Sequence, residues 1–157
     1  MAGVLYFLRP TPTVARWIFA LQLTAAAVWV LYCLTSMFAT YLTWGQWIAW
    51  EEPRVRASFH VLWFSLACLA LVLWMRHPRF AAVVNIVVAG GVLLIVKGAS
   101  IVRHPLNPVG ESTSSAYQLT YLTLVLICVA GATLFAAWLA NRNWLAPEIT
   151  ALTPENQ

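Results

Sequence analysis

Long apolar stretches broken by short polar ones set the architecture of this chain. Apolar runs cover about 17–44, 55–74, 80–102 and 116–140. A helix needs roughly 20 apolar residues to cross a bilayer, so each run is long enough for one span. The first run, at about 1.5 Å per residue, exceeds the hydrocarbon thickness, so its helix is expected to tilt or project. Trp44, Trp47 and Trp50 follow at three-residue intervals, on one side of a helical turn, with Glu51, Glu52 and Pro53 behind them. Indole rings favour the membrane–water boundary, which places this segment there. Arg76, His77, Pro78 and Arg79 predict a tight loop. Residues 103–115 hold two prolines, a glycine and a Ser/Thr cluster, which break any helix. Residues 1–16 read as a short lead, and 141–157 as a polar tail at the surface or docked on a partner. The first run is too long for the core of a signal peptide and has no clear small-x-small site after it, so it is expected to remain as a span.

Composition sharpens this picture. Hydrophobic residues make up 62% of the 157 positions and charged ones 9%. A soluble domain is about a quarter charged. A chain of this size could not hide so much apolar surface from water, so lipid must cover it. The expected fold is an all-α integral membrane protein, a four-helix transmembrane bundle forming one membrane domain over 1–157. The net charge of +4 does not point to nucleic acid, because no basic run could neutralise several phosphates. The positives flank the apolar runs instead. Arg9, Arg16, Arg76, Arg79 and Arg142 fall on one side; Arg54, Arg56 and Arg103 fall on the other, with Glu51, Glu52 and Glu111. That bias predicts both termini in the cytoplasm and residence in the cell's inner membrane. Cys33, Cys68 and Cys128 each lie inside an apolar run without metal-binding spacing, and read as buried free thiols.

Ionisable groups at membrane depth are costly, so each one is a site hypothesis. Lys97 lies inside the third run and His60 inside the second. Gly90, Lys97 and His104 recur every seven residues, on one stripe that is expected to face protein. Arg56 and His60 are four apart on one face, as are Tyr117 and Tyr121, with Gln118 beside them. All lie toward the end that carries Glu51 and Glu52. The candidate cluster is therefore Glu51, Glu52, Arg56, His60, Lys97, His104, Tyr117, Gln118 and Tyr121. It would suit a quinone head group, an ion or a small polar substrate. The plainer alternative is charge pairing and snorkelling of long side chains to the interface. His60 and His104 could ligate a haem iron, or a metal together with Glu51 or Glu52, although their spacing specifies neither.

Arg-His-Pro occurs at Arg76–Pro78 and Arg103–Pro105. It resembles a motif of integral-membrane isoprenylcysteine-type methyltransferases for three residues only; a proline at a span boundary after interfacial cations accounts for both copies. Trp50-Glu51-Glu52-Pro53-Arg54, and loosely the stretch from Ser114 to Ala137, resemble the small membrane subunits of tripartite ATP-independent periplasmic transporters. That resemblance implies four helices with termini inside and a role in transport. The basic segment and amphipathic helix which that family carries between its second and third spans are missing here.

Small residues indicate close packing. Ala132, Ala136 and Ala140 recur every four residues in the fourth run, and Gly90, Gly91 and Gly98 open the third. In lipid such positions let helices approach, within the bundle or on another subunit. With no catalytic motif and little extramembrane mass, the expected function is a non-enzymatic accessory or anchor subunit of an inner-membrane complex of the electron-transfer, quinone-associated kind. A transporter subunit is the alternative, and a stand-alone membrane enzyme the third class.

Overall fold

The structure is a computed structural model that describes residues 2–99 and 113–142. These residues form helices joined by turns: α1 (Ala2–Leu8), α2 (Pro12–Trp44), α3 (Pro53–Met75), α4 (Pro78–Gly98) and α5 (Ser115–Asn141). Among the described residues, α2 to α5 are long and apolar enough to cross a bilayer. They form the all-helical frame of a multi-pass membrane protein.

Proline sets three of the four long helices in phase. Pro12, Pro53 and Pro78 each occupy the first helical turn, where a missing N–H costs nothing and a fixed φ helps. The residue before each is extended, as proline demands: Thr11, Glu52 and His77 have φ of −113, −81 and −103°. Thr11 also caps α2, its Oγ1 accepting from the Val14 N–H at 3.3 Å. Gly45 ends α2 at φ 70°, and Arg76 ends α3 in the same left-handed region at φ 46°. Arg76–Pro78 is thus a stop followed by a start.

The spans extend beyond the expected boundaries at their beginnings. α2 starts at Pro12 rather than 17, and α4 ends at Gly98, before Val102. Residues 2–8, expected as a lead, form α1. Its Ala2, Gly3 and Tyr6 are buried against α4, while Val4, Leu5, Phe7 and Leu8 point outward. The segment after α2 is not helical. Trp47 stacks on Tyr41 of α2 at 4.5 Å, and Trp50 packs on Phe59 of α3 at 5.0 Å. The two indoles therefore pin this turn to two different helices.

α2 is the central helix and packs on α3, α4 and α5, while α3 and α4 pack on each other. The main core joins Ile18 and Phe19 of α2, Cys68 and Val72 of α3, and Ala81, Ala82, Val84 and Val88 of α4 to α1. All of it lies in the half nearer the chain's start. A second, smaller contact seats Leu139 and Ala140 of α5 on Ala20 of α2. The bundle is tight at this end. At the other end a cleft opens between α3 and α4.

Candidate functional site

That cleft is built by the first two turns of α3 and the last turn of α4. Pro53, Arg56, Ala57 and His60 form one wall, and Ile95, Gly98 and Ala99 the other, around an open volume of about 250 Å³. Arg56 and His60 both point to it because they are one helical turn apart. Ala57, one position away, is buried against the bundle and fixes the rotation of α3. The expected pairing of Arg56 with His60 on one face is therefore present, and α4 supplies the opposite wall.

The other expected members scatter. Lys97 adjoins Gly98 but does not line the cleft. Its stripe faces outward: Gly90 has open space at its Cβ position, Leu94 is 75% exposed, and Lys97 itself is exposed. The expectation that Lys97 faces protein is thus corrected, because α4 turns its Val84–Val88–Gly91 side to the bundle. Lys97 stands in the last turn of α4, where a cation complements the helix dipole. Among the described residues it has no ion pair with Glu51 or Glu52. Glu52 is only 3% exposed and starts α3, its carbonyl accepting from the Val55 and Arg56 N–H groups, while Glu51 is exposed. Tyr117, Gln118 and Tyr121 are exposed in the first two turns of α5 and do not line the cleft. His104 and Glu111 lie outside the described residues, as does the tail beyond Arg142.

The packing positions divide in the same way. A Cβ on Gly91 would meet the Phe64 ring at 2.7 Å, so this glycine is a point of close approach between α3 and α4. Gly90 and Gly98 meet nothing within 4 Å. Ala136 and Ala140 are buried on the α2 side of α5, and Ala132 is half-buried above them. The alanine stripe is thus a contact within the bundle.

Uncharged polar groups are also buried within the long helices. Gln22, Thr24 and Ser65 are buried among apolar side chains, and among the described residues Gln22 Nε2, Thr24 Oγ1 and Ser65 Oγ have no hydrogen-bond partner. Their signal in the sequence is an uncharged polar residue inside a long apolar run. Cys33 and Cys68 are buried and Cys128 exposed, all three free. Cys33 Sγ lies 3.9 Å from the Ser58 carbonyl, linking α2 to α3. Among the described residues, no three His, Cys, Asp or Glu side chains gather where they could hold a metal ion.

No family model, curated protein or solved structure matches the chain.

Proposed function

We propose that this chain is a non-enzymatic helical subunit of the inner membrane, docking on a larger integral-membrane complex through α5. The observation that carries this is the packing of α5. Only 11% of its most apolar window is buried, against 39% for α2. Its buried residues Ala136, Leu139 and Ala140 all fall in its last two turns. The rest of its length is a bare apolar surface with Gly131 open at its Cβ position. Lipid alone can cover such a face, but an unused glycine on it also admits another helix at close range.

The complex is of the electron-transfer kind, with this subunit bordering a quinone path. The alternative is a transport complex, favoured by the Trp50–Arg54 resemblance. Purification in mild detergent, with mass spectrometry of co-purifying chains and an absorption spectrum, separates them. Redox subunits and a chromophore support the first. A large permease with a binding protein supports the alternative. A monodisperse, active-state monomer without partner chains overturns the subunit reading altogether.

A further inference from the structure

The cleft between α3 and α4 has an uneven lining. Among the described residues, its charged or titratable side chains are Arg56 and His60, and no carboxylate lines it. Both are exposed, and among the described residues neither side chain has a hydrogen-bond or ion-pair partner. Neither Glu51 nor Glu52, the carboxylates closest in sequence, is among the lining residues, and Glu52 is buried. Ala57, Ile95 and Ala99 complete an apolar floor.

Depth follows from the neighbouring aromatics. Trp47 and Trp50 lie immediately before α3 begins, and indole rings favour the membrane–water boundary. Arg56 therefore stands at the level of lipid headgroups, with His60 one turn further in. A guanidinium presents a planar fork that matches two phosphate oxygens, and an imidazole N–H can reach a third. The start of α3 adds a field of the same sign. A volume of about 250 Å³ has room for such a group, since a water molecule occupies roughly 30 Å³.

We propose that this cleft binds a phosphate group at the membrane surface, held by Arg56 and His60, with any attached acyl chain along Ala57 and Ile95. The phosphate belongs to a phospholipid headgroup or to a free anion, and the chemistry of recognition is shared. The site does not depend on the docking role of α5.

The test is native mass spectrometry of the full chain in mild detergent, titrated with phosphatidylglycerol. Arg56→Gln should weaken retention roughly tenfold, as loss of a bidentate charge-assisted contact does. Gly98→Leu should weaken it similarly without changing charge, because its Cβ enters open space and fold disruption is not expected. Arg54→Gln removes the same charge from the same turn of α3, outside the cleft lining, and should leave retention within about twofold. Diacylglycerol, which lacks the phosphate, should bind wild type and Arg56→Gln alike. Competition with inorganic phosphate identifies the source: displacement of the lipid indicates a free anion, and its persistence a headgroup. Equal losses in Arg54→Gln and Arg56→Gln would show general basicity and overturn the site. So would undiminished retention in Gly98→Leu, or diacylglycerol retained as well as phosphatidylglycerol.

Discussion

Gln22 is 2% exposed within the apolar core side of α2, and among the described residues its Nε2 has no hydrogen-bond partner. An unsatisfied buried amide costs about 1–3 kcal/mol, although transmembrane polar contacts tend to the low end. Gln22→Met keeps the shape and removes the polar group. It should raise thermal stability in detergent by about 1 kcal/mol. A loss of stability would mean that the amide makes a bond on which the bundle depends. Gly91 gives the opposite case. Any side chain there runs into Phe64, so Gly91→Leu should cost about 1–3 kcal/mol, whereas Gly90→Leu projects into open space and should cost little. Comparing the two melting temperatures checks this. The sequence groups Gly90, Gly91 and Gly98 together because all three lack a side chain. Only the rotation of α4 against α3, a tertiary quantity, separates the one that is filled by a neighbour from the two that are not. The Arg56–His60 pair was legible for the converse reason: residues four apart on a helix share a face whatever the helix packs on.

At the level of elements, the long helices follow directly from apolar run length, and their starts from proline. α1 does not, because seven residues are too few to show a span. It is ordered by burial on α4, where Gly3 lies against the Ala82 backbone. The Trp segment also differs from its expected helical turn: Gly45 ends α2, and ring stacking on Tyr41 and Phe59 then fixes the chain. The α2–α5 contact is the element interface that a single substitution can address. Ala136 is 1% exposed, one turn from Ala140 on the same side of the helix. Ala136→Leu should loosen α5 from α2 at a cost of about 1–3 kcal/mol. Protease sensitivity of the α5 end in detergent would report it. Ala132→Leu, at a half-buried position, should have a smaller effect. Equal resistance of Ala136→Leu and wild type would show that α5 is held by something other than this contact.

The whole molecule has two unlike ends. The end where the core is tight carries Arg9, Arg16, Arg76, Arg79 and Arg142. The end with the cleft carries Arg54, Arg56 and Lys97, together with Glu51 and Glu52. Neither packing nor burial orients such a bundle in a membrane; only charge does, through its effect during insertion. The arginine excess at the tight end predicts that end in the cytoplasm, which puts the phosphate cleft on the outer face. Two described turns test this directly. Glu51 lies at one end and His77 at the other, and both are exposed. With Cys33, Cys68 and Cys128 replaced by alanine, single Glu51→Cys and His77→Cys chains are treated in intact cells with a membrane-impermeant maleimide. Glu51→Cys should label at once, and His77→Cys only after the membrane is opened. The reverse pattern would invert the protein and move the cleft to the cytoplasmic leaflet. Labelling of both from outside would mean that α3 does not cross the membrane, and would sink the four-span bundle.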